Sequence, residues 1–207
     1  MRKNTIILLI GFALMTIAIA LSLQFGTKNY TLSTVLEAVF DYKKNVVEHQ
    51  IIFEIRLPRA LAAALIGSFL ALSGCIMQVL TRNPLAEPQL LGVSYGAAFA
   101  LVVTLAFFPT LSLTGTMIAS IVGAGVAVIL VFALASMSKG AAAPVKLALA
   151  GVALGMFLSS LTSCISLYFN VAKDMSFWYA GGLSTTSWQS VKLLVIAGIA
   201  GVGFVAV

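Results

Sequence analysis

The sequence predicts an all-α fold, a polytopic bundle of transmembrane helices, and three observations carry that reading. Hydrophobic residues fill 61% of the 207 positions and charged residues only 9%, where a soluble domain averages about 25% charged. Charges are missing from Ala60 to Thr81, from Pro88 to Ser138, from Leu147 to Ala172 and from Leu193 onward. Within these stretches the apolar residues run without alternation, which excludes the short two-faced strands of a membrane barrel. A helix crosses a bilayer with about 20 apolar residues. Six spans are therefore expected, at roughly 6–25, 60–80, 90–108, 112–135, 147–168 and 189–207.

The first span follows Arg2 and Lys3, as a signal peptide would. Its apolar core is longer than the about 7–15 residues of a secretory signal, so it reads as an uncleaved helix. Residues 26–59 form the one sizeable hydrophilic connection. Thr34 and Glu37 have the spacing of a capping box. Leu32, Val35, Leu36, Val39 and Phe40 recur at helical spacing behind it, which predicts a short amphipathic helix at the membrane surface. The basic residues divide almost evenly between the two sides, so charge alone leaves the orientation undecided.

Helix packing is legible in the small residues. Ala63, Gly67 and Ala71 recur every fourth position, as do Gly92, Gly96 and Ala100, then Ala119, Gly123 and Ala127, then Gly151, Gly155, Ser159 and Ser163. Such stripes let helix backbones approach closely in lipid. Cys75 and Cys164 lie inside apolar spans and read as packing residues. The chain ends at Val207 within an apolar run, without a polar flank. A fragment, or a chain whose partner domain lies elsewhere, is the expectation, with 1–207 a single transmembrane domain.

Enzymatic chemistry has little to stand on. His49 is the single histidine and is expected on a loop surface; no span holds Asp or Glu, and neither HExxH nor a phosphate loop occurs. No metal ligand set and no catalytic group are assigned. The lack of a basic cluster argues against nucleic acid as a partner. The spans also lack the carboxylates on which ion-coupled carriers commonly rely, so any driving force is expected from a separate subunit. A secondary carrier or channel-like protein is the alternative. Gln78 on the second span and Ser159, Ser160, Thr162 and Ser163 on the fifth are the candidate residues of a translocation path. Plain helix packing explains the serines equally well, because each can bond to the preceding helical turn.

Two polar marks bracket the second span. Arg56-Leu57-Pro58-Arg59 opens it, with proline tolerated in a first helical turn. Two forked guanidiniums at a helix mouth suit carboxylate binding, or equally lipid-headgroup anchoring. Arg82-Asn83-Pro84-Leu85-Ala86-Glu87-Pro88 closes it; each proline disfavours helix at the residue before it, which predicts a rigid turn. Leu90-Leu91-Gly92-Val93-Ser94-Tyr95-Gly96-Ala97 follows directly.

This block resembles the FecCD-type permease subunits of ABC importers for iron-siderophores, haem and cobalamin. R-L-P-R, G-x-x-L-x-x-S-G-x-x-x-Q, R-N-P-L-A-E-P and L-L-G-V-S-x-G-A all occur in order. Phe177-Trp178-Tyr179-Ala180-Gly181-Gly182 is a looser match, departing at Tyr179, Ala180 and Gly182. The resemblance implies a multi-pass protein of the bacterial cytoplasmic (inner) membrane with its N-terminus inside. It implies a chain of about ten spans, each of about 20 residues, of which about six are present here. The segment that couples to the ATPase would then lie beyond Val207.

The same resemblance implies partners and roles. The partners are a second permease copy or homologous permease, cytoplasmic ATP-binding subunits, an extracytoplasmic substrate-binding protein and membrane lipid. ATP would be used by the ATPase partner, and this chain would need no cofactor of its own. The 26–59 loop would be extracytoplasmic. Arg56 and Arg59 would dock the binding protein, Asn83 and Leu85 would narrow the cytoplasmic exit, and span five would line the central path.

Overall fold

A computed structural model describes residues 2–84, 86–137, 143–183 and 186–205, and among these every regular element is helical. Two compact units are present: residues 1–70 with 183–207, and residues 71–182.

The first unit begins with α1 (Arg2–Gln24), an apolar helix whose Ile7, Leu8 and Phe12 are exposed and which buries little. A helix apolar on every side belongs in lipid. The expected connecting helix is α2 (Leu32–Phe40), but its cap lies one turn earlier than the sequence suggests. Thr31 holds the extended cap conformation, and its Oγ1 accepts the Thr34 N–H at 3.4 Å. Thr34 is therefore inside the first turn, and the Thr34–Glu37 capping box does not form. Val35 and Ala38 are buried with Leu23, Tyr30, Ile52 and Ala60, while Leu32, Leu36 and Phe40 stay exposed along another face.

His49 also departs from expectation. It sits on the short helix α3 (Val47–Gln50), 3% exposed, and its Nδ1 accepts the Lys43 backbone N–H at 3.2 Å. The imidazole organises the 41–49 turn from within and is not a surface group. A π-helical turn, Ile51–Arg56, then feeds into α4 (Leu57–Thr81), so that helix runs unbroken from Val47 to Thr81. The unit boundary falls inside α4. Trp188–Val205, the last helix of this unit, is named α9 below.

The second unit holds α5 (Val93–Phe107), α6 (Leu113–Met137), α7 (Ala143–Tyr168) and α8 (Ala172–Gly181). The expected third span is the one that shortens. Pro88–Leu91 forms a 3₁₀ turn, and Gly92 follows in the left-handed conformation at φ 73°. Only the 15 residues of α5 remain as regular helix, about 22 Å. Among the described residues, α1, the Val47–Thr81 helix, α6 and α7 are long and apolar enough to cross a membrane, and α5 and α9 are shorter apolar helices.

The small-residue stripes interlock within this unit. A methyl on Gly96 would strike the Gly123 carbonyl and Ala127 of α6, and one on Gly123 would strike Ala100 of α5. On α7, Gly151 faces the Leu90 carbonyl and Gly155 lies against the Tyr95 ring. These pairings run α5 and α7 in the same direction. α8 then turns back beside them, with Met175 buried against Leu101 and Val102.

Candidate functional site

Three places hold the residues singled out by the sequence. At the mouth of α4, Arg56 and Arg59 do different things. Arg56 is half-buried, and its guanidinium donates to the carbonyls of Leu23 at 2.8 Å, Gln24 at 3.2 Å and Lys28 at 2.5 Å. These are carbonyls at and just past the end of α1, which a helix leaves without internal partners. The same guanidinium lies 4.7 Å from the centroid of the Tyr30 ring. Arg59 is exposed, and its Nε donates to the Leu183 carbonyl at 3.1 Å.

Aromatic residues brace the same unit. Tyr42, Phe53 and Trp188 pack in sequence as tilted ring pairs, with centroid separations of 4.9 and 5.3 Å. The Trp188 indole N–H donates to the Phe53 carbonyl at 3.0 Å, within the π-helical turn. The Tyr42 hydroxyl donates to Glu54 Oε1 at 2.6 Å, and this bond holds the phenol above its ordinary pKa of 10.0. Lys28 pairs with Glu48 at 3.1 Å.

The turn after α4 is rigid for a reason the prolines only partly disclose. Arg82 N–H donates to Val79 O at 3.3 Å and Asn83 N–H to Gln78 O at 3.2 Å. This is the double closure of a Schellman motif. Its left-handed position, usually glycine, is Arg82 at φ 51°. The Asn83 carbonyl accepts the Ala86 N–H at 3.2 Å, which continues the turn. Leu85 lies outside the described residues.

The third place is a cavity of about 440 Å³ in the second unit. Its hydroxyl lining comes from Ser94 of α5, Ser159, Thr162, Ser163 and Ser166 of α7, and Ser176 of α8. Gln89, Tyr95 and Tyr179 add polar groups, and Met175 closes part of the wall. Three of the four path serines and threonines expected on α7 therefore meet in one cavity. Ser160 is not among its lining; it is exposed and bonds back to the Met156 carbonyl at 2.9 Å. Gln78 is exposed on α4 and likewise does not line it. Ser166 has the helical spacing of Thr162 (i, i+4), and that spacing was the available signal for it. Ser176 and Tyr179 carry no comparable sequence signal, since only the return of α8 brings them in.

Residues 14–207 match the model of the FecCD transport family. The chain belongs to that family. Among relatives, it is 47% identical over 196 residues to the iron(3+)-hydroxamate import system permease protein FhuB of Bacillus subtilis, covering 95% of this chain and 51% of that protein. It is 43% identical over 184 residues to the ferric enterobactin transport system permease protein FepD of Escherichia coli, covering 88% of this chain and 55% of the relative. The vitamin B12 import system permease protein BtuC of Vibrio cholerae is 39% identical over 155 residues, 73% of this chain and 46% of the relative. A solved structure described as an inward-facing conformation of a metal-chelate type ABC transporter superposes with a TM-score of 0.76 at 28% identity. It matches 93% of this chain and 59% of that one. The FecCD chain described here spans about half the length of the curated relatives it matches.

Proposed function

We propose that this FecCD chain is the membrane-spanning part of an ABC importer permease that passes a ferric siderophore inward across the bacterial cytoplasmic membrane. The observation that carries the reading is the 47% identity to an iron-hydroxamate permease over 95% of the chain. ATP hydrolysis belongs to a separate cytoplasmic subunit, and a second permease copy or a homologous permease completes the pathway. An extracytoplasmic binding protein delivers the chelate.

Within that frame Arg59 is the outward-facing docking group, because it is exposed at the mouth of α4. Arg56 supports docking from beneath: its bonds to the end of α1 hold the 24–30 turn beside that mouth. Asn83, in the turn after α4, and Leu85 narrow the cytoplasmic exit. Ser159, Thr162 and Ser163 line part of the path, with Gln78 and Ser160 on outer faces of their helices that a partner helix would cover.

The test is uptake of radiolabelled iron by proteoliposomes holding the full-length protein with its ATPase and binding protein. Ferric hydroxamate should be taken up with ATP inside, and unlabelled ferric hydroxamate should compete better than ferric citrate or cobalamin. Cobalamin as the preferred competitor would remove the siderophore reading while leaving the permease reading in place.

A further inference from the structure

The hydroxyl-lined cavity between α5, α7 and α8 carries a chemistry that the permease reading does not assign. Four of its hydroxyls are already donating. Thr162 Oγ1 bonds the Leu158 carbonyl at 2.8 Å, Ser163 Oγ the Ser159 carbonyl at 3.0 Å, Ser166 Oγ the Ser163 carbonyl at 3.0 Å, and Ser176 Oγ the Ala172 carbonyl at 2.9 Å. A hydroxyl has one proton to give and two lone pairs to offer. Once the proton is committed to the helix, what remains for the cavity is acceptor oxygen.

We propose that this cavity binds a compact monovalent cation, held by hydroxyl oxygens and keeping part of its hydration shell. Among the described residues no basic side chain lines the cavity. Toward an anion the four back-bonded hydroxyls offer only lone pairs, which leaves donors to Gln89, Tyr95, Tyr179, Ser94 and Ser159. A cation or an ammonium group can use the oxygens of the back-bonded hydroxyls as they stand. The volume, about 440 Å³, leaves room for the ion and several waters at about 30 Å³ each. Thr162 and Ser166 are each 8% exposed, so two of the oxygens are well shielded from bulk solvent. Nor does a carboxylate of the described residues line it, so the site favours a single positive charge over a divalent ion, which seeks anionic oxygen ligands.

Two sources share this chemistry: a free alkali ion, and an amine carried on a larger ligand. The cavity is the one that contributes path residues to the permease reading. The binding assay, however, needs no ATPase, binding protein or chelate, so the two readings fail separately.

The experiment is a titration of the purified full-length protein in lipid nanodiscs, followed by tryptophan fluorescence, since Trp178 packs against the cluster that holds Met175. Sodium chloride and methylammonium chloride are compared with choline chloride at equal ionic strength. A saturable response to sodium assigns a free ion, and one to methylammonium assigns an amine-bearing ligand; either supports the proposal. Thr162→Val with Ser163→Ala should weaken the apparent Kd at least tenfold, while Thr162→Ser, which keeps the hydroxyl, restores it. Helical circular dichroism of each variant checks folding, and Ser68→Ala on α4 serves as the unaffected control. No saturable response to sodium or methylammonium, the same response in all three salts, or full binding by the double variant would overturn the proposal.

Discussion

Arg56 and Ser163 both point a donor at a backbone carbonyl, yet they leave opposite surfaces behind. Arg56 gives three hydrogen bonds to the end of α1 and the turn after it, and remains a cation with no acceptor to offer. Ser163 gives its single proton to Ser159 O and becomes an acceptor. The arginine end of the molecule is therefore suited to carboxylates, and the serine cavity to donors and cations. One local act, satisfying a helix carbonyl, produces two recognition surfaces because the side chains differ in how many protons they hold. The arginine end is also braced by aromatic packing, whereas the serine cavity depends on glycines that let α5 and α7 come together.

The largest effect should come from removing that closeness. Gly151→Ala would push a methyl into the Leu90 carbonyl. Overpacking of this kind costs about 1–3 kcal/mol, and the backbone on the far side has little freedom to yield. Thermal unfolding in detergent should show the loss, together with loss of any cavity ligand. Unchanged stability would mean that the cavity is not built on this contact.

Arg56→Ala tests the other side. Hydrogen bonds to charged groups contribute about 1.5–3 kcal/mol each when buried, but Arg56 is only half-buried, so a total near 2 kcal/mol is expected. Arg59→Glu should instead leave stability nearly unchanged and reduce binding-protein affinity by tenfold or more in the full-length protein. If Arg56→Ala were as stable as the parent and Arg59→Glu were not, the assignment of brace and docking group would have to be exchanged.

Trp188→Phe keeps the packed ring but deletes the indole bond to Phe53, and should cost about 1 kcal/mol. Arg82→Gly relieves a non-glycine residue at φ 51° and should stabilise the end of α4 by up to about 1 kcal/mol. A loss of transport in that stabilised variant would show that the Arg82 side chain acts in the turn and is kept there despite its strain. The smallest effect is a pH dependence. Because the Glu54 bond raises the Tyr42 pKa, its contribution is complete below the unfolded phenol value near 10 and is lost as pH rises through the folded value. Tyr42→Phe should remove that alkaline sensitivity in a stability titration.

Much of this was readable from the chain. All six apolar runs fold as helix, because lipid permits few backbone solutions, but among the described residues only four of them are long and apolar enough to cross a membrane. The stripes through Gly96, Gly123, Gly151 and Gly155 pack as their four-residue spacing foretells, whereas a methyl on Gly67 of α4 would meet nothing. The prolines foretell that helix stops after α4, but the Arg82 closure is not legible, because arginine carries no signal for a left-handed conformation. The helix cap was misplaced by one turn since Thr31 and Thr34 are equally good caps, and only packing of Val35 and Ala38 chooses between them. His49 looked exposed because its neighbours are hydrophilic, but a single backbone N–H from Lys43 draws it inside. Ser176 and Tyr179 became part of the cavity through the reversal at α8, a tertiary event that local spacing does not encode.

The central claim is that this family member belongs to an importer driven by ATP. The most direct measurement is iron-siderophore uptake by reconstituted full-length protein with its ATPase and binding protein, with and without ionophores that collapse ion gradients. The account predicts uptake that requires ATP and persists when the gradients are gone. Uptake that continues without ATP and stops with the ionophores would contradict it.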